Sequence, residues 1–381
     1  MRATKRTISI VMPCLNEERT VGRCILQAKL SLKKLGRQGF SGEIILADNG
    51  STDKSVEIAR NAGATIVLVP TRGYGAVYQA GIAASRGSYI MIADSDGTYD
   101  LGNIGAFIDR LERGFDLVLG SRFSGNIKPG AMPFLHRYVG NPILTGLLNF
   151  TYGTRVTDAH TGMRAFTRKS WNTMNLVSRG MEFASEMLMK AKLHNLRITE
   201  IPIVYSRRTG TSKLIPLKDA WRHVKCMILY APTFALIVPG ILLTLLGFSL
   251  SIILLPGKFA IGGVYLDIHT MTVGTLIANL GITVTLLGIL SRLYTQKVLG
   301  VPGGALGNAI LSRVTVERLL FAGLVLVAGG LGLISVVLVA WIGSGLGELS
   351  AIREVIVGIA LVITGSQLAF SSFAFGLLEP M

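Results

Sequence analysis

Cysteine is scarce in this chain of 381 residues: Cys14, Cys24 and Cys226 are all it has. They are too few and too scattered for a disulfide framework. None stands in a Cys-x-x-Cys spacing, which excludes zinc ribbons and dithiol redox centres and leaves three reduced, cytoplasmic thiols. Acidic side chains are in deficit, with 22 Asp and Glu against 38 Lys and Arg, a net charge of +16. That balance suits nucleic acid, anionic lipid or a phosphorylated small substrate equally. No basic helix with base-reading side chains and no zinc-knuckle spacing is present, so nucleic acid drops out of the expected partners. A signal-peptide core is lacking too, because the apolar run from Ile8 is stopped by Pro13 and then by Asn16, Glu17 and Glu18.

The deficit that divides the chain is one of charge in its last third. The runs 234–255, 270–290, 319–342 and 355–378 contain no Asp, Glu, Lys or Arg, and each reaches the roughly 20 residues needed to cross a hydrocarbon core. Their interiors offer only polar residues such as Asn279 and Gln367. A translocation path needs ionisable groups, so an anchor or lipid-handling platform is expected rather than a transporter. The loop between the second and third runs carries Arg292, Lys297, Arg313 and Arg318, whereas the loops around Lys258 and Arg353 carry little net charge. By the positive-inside rule the middle loop and the N-terminal domain are expected on the cytoplasmic face of a multi-pass cell-membrane protein. Residues 217–230 mix Lys218, Arg222, His223 and Lys225 with Trp221, Val224, Met227, Ile228 and Leu229, as a helix among lipid headgroups would. An ordinary amphipathic surface helix has the same pattern. Length alone predicts two or three units. The expected division is a soluble domain over 1–214, a juxtamembrane helix over 215–232 and a four-span domain over 233–381.

From Thr7 to about Gly120, short β-branched runs alternate with helix-length amphipathic runs, the pattern of an α/β fold with a mostly parallel sheet. Strands are expected at 8–12, 43–47, 65–69, 89–93 and 117–119, with helices at 21–35, 54–61, 76–84 and 104–113. The stretch 123–212 is less regular, with helices at 143–150 and 182–194 and a strand at 198–204, and reads as a second lobe. Ligands in such sheets bind beyond the carboxyl ends of the strands, so the residues after each strand carry the information.

After the first strand the glycines of a dinucleotide turn are missing. Pro13-Cys14-Leu15-Asn16-Glu17-Glu18 cannot bring backbone N–H groups to a pyrophosphate, but its acids suit ribose hydroxyls or a base N–H. After the second strand, Asp48-Asn49-Gly50-Ser51-Thr52-Asp53 presents two carboxylates at a helix start. Helix capping by Ser51 or Asp53 accounts for the latter and leaves Asp48 as a base or ribose contact. After the fourth comes Asp94-Ser95-Asp96-Gly97-Thr98-Tyr99-Asp100. Two such carboxylates at a strand end can hold a hard divalent cation, Mg²⁺ or Mn²⁺, together with diphosphate oxygens. Buried without a cation the pair would cost several kcal/mol, while a solvated acidic turn would not.

These motifs, the Arg72-Gly73-Tyr74-Gly75 turn between them, and three later ones stand in the order and spacing of family 2 glycosyltransferases with the GT-A (Rossmann-like) fold. The later motifs are Gly120-Ser121-Arg122, Asp158-Ala159-His160-Thr161-Gly162-Met163-Arg164 and Arg207-Arg208-Thr209-Gly210-Thr211-Ser212-Lys213-Leu214. With them the chain resembles the dolichyl- and polyprenyl-phosphate mannosyl- and glucosyltransferase branch over about 8–214, and its tail resembles known members in architecture. The resemblance implies a nucleotide-sugar donor, GDP- or UDP-linked, whose nucleoside meets Pro13, Asn16, Glu17, Asp48 and Asp53. It puts Asp94 and Asp96 at the metal and diphosphate. It puts Arg122 and Arg137 at the phosphate of a polyprenyl acceptor, with Asn141 one helical turn beyond. Arg207, Ser212 and Lys213 would close over the donor phosphates.

Each basic residue taken alone is also explained as a surface cation or, for Arg207, Arg208 and Lys213, as a positive-inside residue near a span. Two departures stand out. Thr98 replaces the Gln that many relatives carry, with Asp100 expected to take part of its role, and there is neither a Gln-x-x-Arg-Trp motif nor a convincing late Glu-Asp base. The second absence argues against a processive polysaccharide synthase or exporter, and intact Asp94, Asp96, Arg122 and Lys213 argue against a non-enzymatic membrane scaffold. A missing base is chemically sensible, since a sugar hydroxyl must lose a proton on attack and a lipid phosphate, already an anion, need not. It needs positioning, with arginines to offset repulsion from the donor diphosphate. Direct attack would invert the anomeric centre and give a β-linked product from an α-linked donor.

Overall fold

The computed structural model describes residues 6–210, 216–298, 300, 309, 311–348 and 351–378, with the side chains of 216–219 outside that description. Two compact units result, Met1–Met227 and Ile228–Met381.

The first unit is built on one seven-stranded sheet. Strands β1 (Thr7–Cys14), β2 (Ser41–Asp48), β3 (Thr65–Leu68), β4 (Tyr89–Ile92), β5 (Leu117–Ile127), β6 (Arg164–Thr167) and β7 (Ile198–Tyr205) lie in the order β3-β2-β1-β4-β6-β5-β7. The first four are parallel, β6 runs antiparallel to both β4 and β5, and β7 is parallel to β5. In central β1, Ile8, Ile10, Val11 and Met12 are fully buried, as expected of a strand covered on both faces. Helices α1 (Val21–Gly36), α2 (Ser55–Asn61), α3 (Tyr74–Ala83) and α4 (Ile104–Glu112) return the chain between the parallel strands. Val21, Cys24, Ile25 and Ala28 of α1 and Ile104, Phe107, Ile108 and Leu111 of α4 recur at helical spacing and join β1 in one apolar core. Each such aliphatic side chain contributes about 1.5–3 kcal/mol on leaving water.

Beyond β5 come α5 (Asn141–Tyr152), preceded by a wide helical turn at His136–Gly140, and then α6 (Arg168–Met174) and α7 (Phe183–Leu193). The expectation of a separate second lobe over 123–212 is corrected here, because β6 and β7 from that stretch complete the same sheet. Four-residue β6 is too short to give a periodic signal, so the sheet looks finished in sequence before it is. Helix α8 (Pro216–Tyr230) follows, with Trp221 exposed and Cys226 and Met227 buried.

The second unit holds four helices long and apolar enough to cross a membrane: Thr233–Leu254, Ile268–Lys297, Val316–Gly343 and Ile352–Gly376. The regular part of the first is α9 (Val238–Leu254), and the others are α10, α11 and α12. Between α9 and α10 a short hairpin, β8 (Phe259–Ile261) and β9 (Val264–Leu266), turns on Gly262 and Gly263, both at positive φ.

Candidate active site

The carboxyl ends of β1, β2 and β4, neighbours in the sheet, bring the three acidic loops together. Loops 13–18 and 48–55 are stitched by direct contacts. Asn16, itself at φ 55, donates its backbone N–H to Ser51 Oγ (2.9 Å) and accepts from Thr52 N at Oδ1 (2.7 Å). Glu17 N donates to Ser55 Oγ (2.7 Å) and Glu18 N to Asp53 Oδ2 (3.1 Å). Asp53 Oδ1 takes the N–H and hydroxyl of Ser55, the expected capping role, and these bonds hold its carboxyl below the usual range against the opposing pull of burial. Asp48 is buried, and its oxygens accept from Gly50 N (2.9 Å), Ser51 N (3.0 Å) and Ser51 Oγ (2.5 Å). Its carboxylate thus also folds the turn, an account that capping at the helix start did not supply. Pro13 contributes its carbonyl, which accepts from Ser95 Oγ (2.5 Å) and so ties the first loop to the third.

In that third loop Asp96 Oδ1 accepts from the N–H and hydroxyl of Thr98 (3.0 and 2.6 Å). Thr98 therefore orders the Asp96 carboxylate directly. Asp100, expected to stand in for the missing Gln, instead caps a short 3-10 turn by accepting from Gly102 N (2.8 Å) and is exposed. Asp94 Oδ1 accepts from Tyr74 and Tyr78. Burial, and then the Asp96 charge, push the Asp94 carboxyl up to about 7, against the lowering effect of the two phenols. The donor set fits a hard divalent cation on that ground: two carboxylates that do not comfortably share a negative charge unaided are relieved by a cation between them. Among the described residues no group of three or more His, Cys, Asp or Glu that could hold a metal ion assembles there or elsewhere.

Arg208, which sequence reasoning passed over in favour of its neighbour, reaches into this carboxylate group. Its Nη2 meets Glu17 Oε1 at 2.6 Å and its Nε lies 3.5 Å from Asp96 Oδ2, whereas Arg207 is exposed. On an irregular segment just past a strand end, no periodicity says which of two adjacent arginines turns in. Ser212 and Lys213 lie outside the described residues.

The Asp158–Arg164 motif serves the site from behind. Asp158 is fully buried and takes Arg122 Nε and Nη2 in a bidentate pair (2.7 and 2.8 Å) as well as Arg122 N (3.0 Å). Arg122 also lies over the Tyr205 ring at 5.2 Å. Its guanidinium is thereby fixed. Gly162 packs on Asp94 so closely that a Cβ would stand 2.5 Å from Oδ2. Arg164, fully buried, donates to the carbonyls of Ala159, Thr161 and Ala184 and braces the loop. Arg137 sits on the turn into α5 and Asn141 opens that helix. The Arg137 guanidinium lies over Tyr138 (5.3 Å), and Asn141 Nδ2 contacts Met132 Sδ (3.5 Å). Around them Phe134, Leu135, Tyr138, Ile143 and Phe150 are exposed, Phe134 at 74% and Phe150 at 79%.

A Rossmann-like sheet with carboxylates gathered past β1, β2 and β4, joined in one chain to four apolar helices, defines a membrane glycosyltransferase of the GT-A type. The glycosyl transferase family 2 model matches residues 9–173, and the model for the family 2 C-terminal transmembrane region matches 289–379. The low-salt glycan biosynthesis hexosyltransferase Agl6 of Haloferax volcanii is 38% identical over 98% of this chain and 89% of its own length. A dolichyl-phosphate hexose transferase of the same organism is 31% identical over 55% of this chain and 87% of its own. An undecaprenyl-phosphate 4-deoxy-4-formamido-L-arabinose transferase of Salmonella paratyphi B is 27% identical over 68% of this chain and 78% of its own. The chain belongs to glycosyl transferase family 2 and is a glycosyltransferase.

Proposed function

We propose that the chain transfers a hexose, with inversion, from a GDP- or UDP-linked donor to a polyprenyl phosphate at the cytoplasmic face of the membrane, yielding a lipid-phosphate sugar. The observation that carries the lipid acceptor is the exposed apolar surface of the segment 134–150, on which Arg137 sits without a carboxylate partner among the described residues. A cation on such a surface suits an amphiphile with an anionic head and a hydrocarbon tail. The names of the dolichyl-phosphate and undecaprenyl-phosphate relatives point the same way.

In the reaction a phosphate oxygen of the acceptor forms the bond to the anomeric carbon, the bond from that carbon to the donor diphosphate breaks, and nucleoside diphosphate leaves. No proton has to be removed. Loops 13–18 and 48–55 hold the nucleoside, with Pro13, Asn16, Glu17, Asp48 and Asp53 shaping its cleft. Asp94 and Asp96 hold Mg²⁺ or Mn²⁺, which when bound offsets charge on the departing diphosphate. Arg208, beside Glu17 and Asp96, adds a guanidinium on the same side, and Arg207, Ser212 and Lys213 close over the donor phosphates. Arg122, immobilised by Asp158, and Arg137 receive the acceptor phosphate, with Asn141 beside Arg137.

The test is a panel of UDP- and GDP-sugars assayed with polyprenyl phosphate in detergent, reading release of nucleoside diphosphate and the anomeric configuration of the product. A β-linked lipid-phosphate sugar is expected. Transfer to a sugar hydroxyl in preference to the lipid phosphate, or a retained anomeric centre, would overturn the reading.

A further inference from the structure

Tyr74 and Tyr78 lie one turn apart on α3, so their side chains share a face, and their rings meet edge-on at 4.9 Å. Both hydroxyls donate to the same atom, Asp94 Oδ1, at 3.2 and 3.1 Å. A carboxylate oxygen accepts about two hydrogen bonds in its plane, so Oδ1 is filled. Among the described residues nothing donates to Oδ2, which lies against Gly162. The two phenols are themselves fixed. Tyr78 is fully buried and stacks on Phe183 at 5.8 Å. Tyr74 opens α3, where Gly75 N and Ala76 N donate to the carbonyls of Gly180 and Arg179, and Asn49 Oδ1 accepts from Gly73 N. Gly73 and Gly75 permit this, since a Cβ on either would stand 2.2 Å from a carbonyl oxygen of that strap.

We infer that Tyr74 and Tyr78 are positioning residues for the cation site: by filling Oδ1 they set the rotation of the Asp94 carboxylate and leave Oδ2 as the oxygen offered to a divalent cation. The inference rests on the proposed cation site at Asp94 and Asp96 and adds to it the part of the Arg72–Gly75 motif that no donor or acceptor role absorbed. It makes the carboxylate's orientation a property of the protein before metal arrives, which is how partners behind a metal ligand strengthen binding.

The experiment is titration of the full-length protein in detergent with Mn²⁺ alone, followed by the loss of the free-ion electron paramagnetic resonance signal. Wild type, Tyr74→Phe, Tyr78→Phe, the double variant and Asp94→Asn are compared, with the metal-free thermal midpoint of each. Phenylalanine keeps the ring packing and removes only the donor. Each single change is expected to weaken Mn²⁺ binding several-fold and the double change roughly ten- to hundredfold, with little movement of the metal-free midpoint. If Asp94→Asn abolishes binding while the double variant keeps wild-type affinity, the positioning role is overturned and the cation site stands. If Asp94→Asn itself binds as wild type does, the cation site is what fails. A double variant whose midpoint falls while its affinity holds assigns the tyrosines to packing alone and likewise overturns the inference. Should the double variant not fold, Tyr74→Phe decides alone, its ring being only half-buried: unchanged affinity there is enough to reject the role.

Discussion

Several side chains that look spare in sequence are committed to shaping others. Asp158 locks Arg122, with side chains 0% and 8% exposed, and together with burial's opposing effect it leaves the guanidinium raised far above any working pH. Breaking such a buried pair typically costs about 3–5 kcal/mol, because the survivor is stranded. Gly162 makes a sharper case. A methyl there would stand 2.5 Å from Asp94 Oδ2 and 3.1 Å from the Tyr74 hydroxyl. Gly162→Ala is therefore expected to rotate the Asp94 carboxylate and cut metal-dependent transfer roughly ten- to hundredfold, with a small change in thermal midpoint. Steady-state kinetics across a Mn²⁺ series checks it, and wild-type turnover at low Mn²⁺ would contradict it. This residue also marks the reach of the sequence. That the Asp94 and Asp96 carboxylates stand near enough to feel each other's charge was legible from their spacing at a strand end. That Gly162, far along the chain, makes room for one of them did not, because a close approach between distant loops leaves no periodic trace.

His160, two residues earlier, yields a prediction of its own. His160 is half-buried, its ring meets His223 edge-on at 4.5 Å and contacts Ser185 Oγ at 3.3 Å, and among the described residues nothing hydrogen-bonds its buried Nδ1. Burial first, then His223, Arg164 and Arg122, depress its pKa well below 6.5. The folded state thus binds fewer protons than the unfolded chain between that depressed value and 6.5. Its contribution to stability is complete above the unfolded value and is lost as pH falls below it, by up to ~1.4 kcal/mol per pH unit. The thermal midpoint in detergent should drop on going from pH 7 towards pH 5, and His160→Gln should flatten that slope. A slope unchanged in the variant would place the acid sensitivity elsewhere.

At the scale of elements, glycines spaced by sevens join the apolar helices in pairs. Gly240 and Gly247 of α9 face Gly281 and Gly274 of α10, while Gly288 packs on Leu236 and Ile237 just before α9, and a Cβ at Gly247 would stand 2.2 Å from Ala278 N. Gly323 and Gly330 of α11 meet Gly358 and Gly365 of α12 in the same way. Small residues let helix backbones approach closely in lipid, where apolar side chains gain little from leaving one apolar medium for another. Gly247→Leu is expected to lower the thermal midpoint in detergent by the equivalent of about 1–3 kcal/mol or more. Gly329→Leu, whose Cβ would meet nothing within 4 Å, should be near neutral. Equal effects of the two would refute glycine-mediated pairing.

The helices themselves were the most legible elements of the chain. Runs expected at 234–255, 270–290, 319–342 and 355–378 emerge as Thr233–Leu254, Ile268–Lys297, Val316–Gly343 and Ile352–Gly376. The strands expected at 8–12, 43–47, 65–69, 89–93 and 117–119 form as well. Antiparallel β6 did not declare itself, since four residues headed by a fully buried arginine resemble no strand pattern. Arg164 is buried because three carbonyls surround it, and that arrangement exists only once the sheet has closed.

For the whole molecule the open question is which face of the membrane the glycosyltransferase unit occupies. Lys297 ends α10, Arg313 lies between α10 and α11 and Arg318 stands in the first turn of α11, and Arg207, Arg208, Lys218, Arg222 and Lys225 precede the first span. Against them stand Lys258 in the connection after α9 and Arg353 at the start of α12, and the latter is already paired with Asp267. Basic residues are retained on the cytoplasmic side during insertion, and four spans return the chain to the face it left. The 1–227 unit and the α10–α11 connection should therefore both be cytoplasmic. The connections holding the β8–β9 hairpin and residue Glu348 should face outward. The native cysteines are buried, so single introduced thiols report cleanly. Val264→Cys on the exposed hairpin should react with a membrane-impermeant maleimide in intact cells, and Arg313→Cys only after permeabilisation. The opposite pattern would reverse the topology and place the carboxylate loops on the side away from cytoplasmic nucleotide sugars. The donor proposed above would then be out of reach, so the labelling tests the orientation and the choice of donor together.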